Sequence, residues 1–230
     1  MPPAFYPFQP ARDAFLAEYA LLEELAGSLT DEQLLLASRC RGWAVCDVLY
    51  HLHGGLEEIL VGFASPTDRQ ADTDFASYWR ACCSGADAEL DVGHARFVRL
   101  VASAYARPSG LVAHLRKPLG AVLRLARSAD GDQRLDFQEH VMPMGDFLAT
   151  WAVEAAVHHL DLTLELPDAP PPVPASLAVT RDTLDALLGR PVPVAWDGAT
   201  YALKGSGRVA LTGEERDALG ALAERFPLFG

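Results

Sequence analysis

The sequence predicts a mainly α protein: a helical domain over residues 1–166, a stiff linker over 167–174 and a small α/β domain over 175–230. Three observations point there. Apolar residues recur at three- and four-residue spacing through most of the first 166 positions. The run Pro167-Asp-Ala-Pro-Pro-Pro-Val-Pro174 excludes regular helix and favours extended chain. Beyond it the pattern changes to short segments separated by Gly and Pro. A chain of 230 residues has room for one large core and a smaller one.

Taken in order, Phe15, Tyr19, Leu22 and Leu25 form the apolar stripe of a helix over 11–28. Thr30 with Gln33 three residues on is a capping box that opens a short helix. A loop through Cys40-Arg41-Gly42-Trp43 leads into a long helix over 44–63, and Ser65-Pro66 breaks it. Helices over 74–83 and 86–106 follow, the second ended by Arg107-Pro108. The next, over 109–127, contains Pro118, which demands a kink or a shifted boundary. Residues 134–141 read as extended, and 145–166 as a strongly apolar helix. Past the linker, 175–188 is helical, and 192–196 and 201–203 read as strands joined at Asp197-Gly198. Residues 204–208, Lys-Gly-Ser-Gly-Arg, lack phosphate-loop spacing and read as a tight strand connection. A final helix over 212–226 starts at Thr212, with Glu215 at the box position.

The formal net charge is −12 and the pI about 4.9. That balance argues against nucleic-acid and anionic-membrane partners, which require clustered Lys and Arg. The basic group Arg116, Lys117, Arg124 and Arg127 reads as a solvated helix face. The opening Met1-Pro-Pro-Ala-Phe-Tyr-Pro lacks the pattern of a signal peptide, and no apolar stretch is long enough to span a membrane. Cys40, Cys46, Cys82 and Cys83 show no C-x-x-C spacing and read as reduced thiols, so a cytoplasmic location is expected.

The chemistry concentrates in the apolar helix. Glu154 and His158 sit four residues apart, on one helical face. A carboxylate buried there needs a positive partner or a metal ion, so Glu-x-x-x-His reads as half a metal site, as a core Glu–His hydrogen bond, or as a helix edge that reaches solvent. A third ligand would come from the helix over 44–63, which offers His51 and His53. Its stripe, Val45, Val48, Leu49, Leu52, Leu56 and Ile59, lies nearer His53, with Glu57 one turn on. A wide interior face would include His51 as well.

The segment Arg39-Cys-Arg-Gly-Trp43-Ala-Val-Cys-Asp47-Val-Leu-Tyr-His51-Leu52 resembles the CPGW-T-V-x-DV-x-x-HL segment of the mycothiol-dependent maleylpyruvate isomerase family. Glu154-Ala-Ala-Val-His158-His-Leu-Asp-Leu162 is similar to that family's E-x-x-(V/I)-H-x-x-DL segment. Tyr201 through Phe229 resembles the small domain that follows in many members. The resemblance implies a DinB-like four-helix bundle and metal ligands at His51, Glu154 and His158. Zinc suits that donor set, with nickel, iron and manganese as alternatives. Asp47 and Asp161 are each placed either to orient an imidazole or simply to face solvent or cap. A C-terminal arginine contributes to the site in the isomerases, and Arg208 is the nearest candidate here. His159 and His53 are candidate proton shuttles. The family commonly has Arg at the position of Trp151, so maleylpyruvate itself is not implied as substrate.

What the resemblance implies is a metal-dependent enzyme holding a low-molecular-weight thiol, mycothiol or a relative, as the metal thiolate. The thiolate would serve S-transfer to, or cis–trans isomerisation of, a small electrophile. Mycothiol presumes an actinobacterial source, which fits the preference for Ala, Leu, Arg and Asp over Lys, Asn and Ile. Two other readings stand beside it. One is a metal-assisted hydrolase. The other is a non-enzymatic scaffold whose metal is closed by His53, His140 or Glu139. His94 and His114 read as isolated surface or core residues, and Trp43 and Trp151 as core packing near the ligands.

Overall fold

In the computed structural model, which describes residues 5–82 and 88–229, amphipathic helices account for most of the chain. In chain order they are α1 (Phe8–Ser28), α2 (Asp31–Leu34), α3 (Val45–Phe63), α4 (Ser77–Cys82), α5 (Ala88–Ala102), α6 (Pro108–Arg127) and α7 (Met144–Leu162). After these come α8 (Pro174–Leu188), α9 (Gly198–Gly205) and α10 (Gly213–Leu219), with a 3-10 segment at Gly220–Arg225. The long helices α1, α3, α6 and α7 close into a four-helix ring. α1 packs on α6 and α7, and α3 packs on the same two from the other side. Phe15 and Tyr19 of α1, Leu49, Leu56 and Ile59 of α3, Leu115 and Leu119 of α6, and Phe147 and Leu148 of α7 fill the centre. Each such side chain contributes roughly 1.5–3 kcal/mol by leaving water.

α7 is the axis of the molecule. Every residue in it is buried except Glu154. A helix can be sealed on all sides only if neighbours cover all its faces. Here α8 supplies the cover that the ring leaves out, packing on both α1 and α7. Val179, Leu184, Leu187, Tyr201 and Phe229 thus join the same hydrophobic cluster as the bundle. Two glycines let α3 approach α7: a Cβ on Gly55 would sit 2.9 Å from the Trp151 ring, and one on Gly62 would sit 2.6 Å from the Phe147 ring.

The strands β1 (Pro66–Thr67), β2 (Arg134–Phe137) and β3 (His140–Pro143) form a small antiparallel sheet in the order β1-β2-β3. The hairpin pairs Phe137 with His140, so Gln138 and Glu139 make its two-residue turn. Both have positive φ, 49° and 67°, as a type I′ turn requires.

The capping boxes at Thr30 and Thr212 form as the sequence predicts. Pro118 lies inside an uninterrupted α6 rather than at a boundary. The strands expected over 192–196 and 201–203 are a correction. Pro191 and Pro193 remove ladder donors, leaving the first segment as unpaired loop. The second belongs to α9, because Asp197 accepts from the Thr200 amide and caps a helix where a strand turn was expected. The 204–208 stretch accordingly ends a helix, with Gly207 in the left-handed region at φ 73°. Among the described residues every strand lies before α7. Cys40 and Cys46 are free thiols; Cys83 and the side chain of Cys82 lie outside the described residues.

Candidate metal centre

Three side chains from two helices converge on one point. Glu154 Oε1 lies 2.9 Å from His51 Nε2 and 3.2 Å from His158 Nε2. The α7 register puts Glu154 and His158 one turn apart, and the α3–α7 packing brings His51 across to them. The three ligand atoms lie close enough together to hold one metal ion. The second ring nitrogen of each histidine has its own partner. His158 Nδ1 is 3.0 Å from Asp161 Oδ2, and His51 Nδ1 is 3.2 Å from His94 Nε2. Such contacts fix the ring orientation and aim Nε2 at the shared point. The donor chemistry therefore fits a divalent metal cation.

Behind His158 the network continues. Asp161, 0% exposed, accepts from the Cys40 thiol at 3.2 Å and from Arg208 Nη2 at 3.3 Å. Arg208 also donates to the Ser206 carbonyl at 3.0 Å. Burial pushes the Asp161 carboxyl up, but His158 and Arg208 outweigh it and hold it below the usual range. Burial likewise opposes the charged form of Glu154, yet His158 and His51 hold its carboxyl well below the ordinary value. For His158 burial again works against charge, while Glu154 and Asp161 raise the imidazole well above its ordinary value. A second donor set, Cys40, His158 and Asp161, also clusters. The Arg208 guanidinium on Asp161 already supplies positive charge there, so the His51 set suits a cation better.

A cavity of about 460 Å³ opens onto His51 and Glu154, walled by Trp151, Trp79 and Tyr78, with Glu57, Glu58 and Gln138 at its polar edge. His158 lies behind the other two ligands. Trp43 stands on the other flank, its ring centroid 5.5 Å from that of His51.

The remaining candidates divide plainly. His53, which the apolar stripe favoured, turns to α6 and packs its ring 4.3 Å from His114. Asp47 does not reach His51; its carboxylate caps α3 by accepting the Ala44 amide at 2.8 Å. His159 is not brought to the trio. It is fully buried, with Nδ1 2.6 Å from Glu18 Oε1 and Nε2 2.9 Å from the Pro170 carbonyl. His140 contacts Thr73 at 3.1 Å. Arg208 joins the network through Asp161, not at the trio itself. His94 and Cys40 were not legible as site residues, since each meets its partner only through packing of distant segments.

Residues 15–163, which include all three metal-ligand candidates, match the family described as Mycothiol maleylpyruvate isomerase N-terminal domain. Comparison with curated proteins and with solved structures gives no match.

Proposed function

The chain belongs to the mycothiol maleylpyruvate isomerase N-terminal domain family, and from that membership and the geometry above we propose that it is a metal-dependent enzyme using a low-molecular-weight thiol. His51, Glu154 and His158 would hold the metal, most suitably zinc. The thiol, mycothiol or a relative, would serve S-transfer to a small electrophile or its cis–trans isomerisation. A divalent cation in such a site supplies Lewis acidity, favouring the deprotonated form of a bound thiol at neutral pH.

The observation that carries this reading is the asymmetry of Glu154. It is the one residue of α7 that is not buried, and the cavity it lines with Thr150 and Trp151 also reaches His51. Three protein donors with an open side mark a reactive rather than a structural metal site. The chain's own residues then have distinct tasks. Asp161 orients His158, His94 orients His51, and Arg208 pairs with Asp161 from the C-terminal segment. Trp151, Trp79 and Tyr78 exclude water from the cavity wall. His159 is better read as a structural residue than as a proton shuttle, because both ring nitrogens already face oxygen acceptors. The scaffold alternative needs a fourth protein ligand. His53 and His140 point to other partners, and Glu139 lies in the hairpin turn.

Cobalt-substituted protein tests the proposal. Adding mycothiol, with glutathione as a comparison, is expected to produce a sulfur-to-cobalt charge-transfer band. An unchanged cobalt spectrum with both thiols would mean a site closed to sulfur and would sink the thiol reading.

A further inference from the structure

A second cavity, about 840 Å³, lies between the loop that enters α3 and the exposed face of α5. Its lining is chemically unlike that of the cavity at Glu154. Arg41, Arg96 and Arg99 line it, and among the described residues none of their guanidinium groups has a hydrogen-bond or ion-pair partner. Among the described residues the one carboxylate in the lining, Asp47, is already engaged by the Ala44 amide. Three cations without a charge partner among the described residues are notable in a chain of net charge −12. Between them the surface is apolar and uncovered: Leu35, Val92 and Leu100 are 62%, 69% and 59% exposed. The metal-side cavity carries Glu57, Glu58 and Glu154 and, among the described residues, has no Lys or Arg in its lining. Charge is thus segregated to the two sides of Trp43, which lines the second cavity and packs against His51.

An apolar concavity rimmed by guanidinium groups that have no partner among the described residues matches a ligand with an apolar body and an anionic head. Arg forms paired, charge-assisted hydrogen bonds to carboxylates, and the volume suits a drug-sized molecule. We propose that this cleft binds a small amphipathic carboxylate, apolar or aromatic in its body, through Arg41, Arg96 and Arg99. Its role as the electrophile brought beside the metal rests on the function proposed above; the binding itself does not. A neutral or hydroxyl-rich thiol then fits the acidic cavity at Glu154, with Trp43 standing between the cleft and His51.

The test is calorimetric titration of the full chain with 2-naphthoate and with the neutral 2-naphthamide. The parallel proteins are Arg96→Ala/Arg99→Ala and His158→Ala, with folding checked by circular dichroism. Loss of charge-assisted hydrogen bonds predicts that naphthoate binds about tenfold or more tightly than the amide. The preference should collapse in the double arginine variant, whose altered side chains are exposed. It should survive in His158→Ala, so failure of the metal reading and failure of this one are distinguishable. Equal affinity for acid and amide, an undiminished preference in the arginine variant, or no binding at all would overturn the proposal. Inorganic phosphate competing as strongly as naphthoate would reduce the cleft to a plain anion patch and overturn it as well.

Discussion

His158 and His159 are neighbours in sequence, on the same helix, and each is paired with a carboxylate; yet they belong to opposite kinds of structure. The step of about 100° between consecutive helical residues sends His158 toward α3 and His159 toward α1. His158 meets Glu154 and Asp161, and through Glu154 it borders a cavity. His159 meets Glu18, fully buried on α1, and the Pro170 carbonyl of the linker. Glu18 also accepts from the Val173 amide and the Ser176 hydroxyl. That second cluster is a clasp: one carboxylate ties α1, α7, the linker and the start of α8. The difference teaches that donor types do not define a site. The first cluster leaves an acceptor facing space, whereas the second spends its donors and acceptors on protein.

The sharpest way to break this comparison is to remove each ring in turn. His158→Ala is expected to abolish stoichiometric metal in protein purified without chelators, with the fold retained; elemental analysis reads it. His159→Ala should keep metal in its folded fraction but lose about 3–5 kcal/mol of unfolding stability, because Glu18 is left buried without its imidazole. Denaturant unfolding measures that loss. Metal loss of equal size in both variants would show that the two clusters are one unit.

A smaller effect probes the support behind His158. Asp161→Asn is expected to weaken metal binding by about 10–100-fold, the usual scale for a group that orients a ligating imidazole. Arg208→Ala should weaken it less, since His158 and Cys40 still engage Asp161. A chelator competition titration ranks them. An effect of Arg208→Ala exceeding that of Asp161→Asn would mean that Arg208 acts at the site directly.

A last effect, read in stability against pH, contrasts these histidine-paired carboxylates with one that lacks such a partner. Asp146, in the first turn of α7, is fully buried and accepts from the Phe75 amide at 2.8 Å and the Tyr6 amide at 3.2 Å. Burial outweighs those bonds and pushes its carboxyl up to about 7. The folded state therefore binds a proton that the unfolded chain has already released above about pH 4. Its contribution to stability is present below that range and is lost as pH rises through about 7. Asp146→Asn should flatten this part of the stability–pH curve, measured by thermal unfolding between pH 5 and 8. An unchanged curve would show that the two amides suffice to hold the anion.

Much of this molecule was legible locally. The apolar run around Glu154 and His158 specified a helix sealed on nearly every face, and the pairs Thr30–Gln33 and Thr212–Glu215 marked helix starts that form as capping boxes. Proline placement misled at 192–196, where extended chain without a pairing partner resembled a strand, and at Pro118, which lies inside an uninterrupted α6. The i, i+4 relation of Glu154 to His158 and the i, i+3 relation of His158 to Asp161 follow from helical period alone. Period could not choose His51 over His53; the family resemblance named His51, and the face that α3 turns to α7 brings it to Glu154. Nor could it foresee His94 against His51, Cys40 and Arg208 against Asp161, or the arginine cleft beside Trp43. Those contacts join residues 43, 121 and 47 positions apart in the three pairings. Local sequence fixes which side chains share a helical face, because the backbone hydrogen bonds that set that geometry reach only one turn. Which face meets which is decided when whole helices exclude water together, and only the assembled core records it.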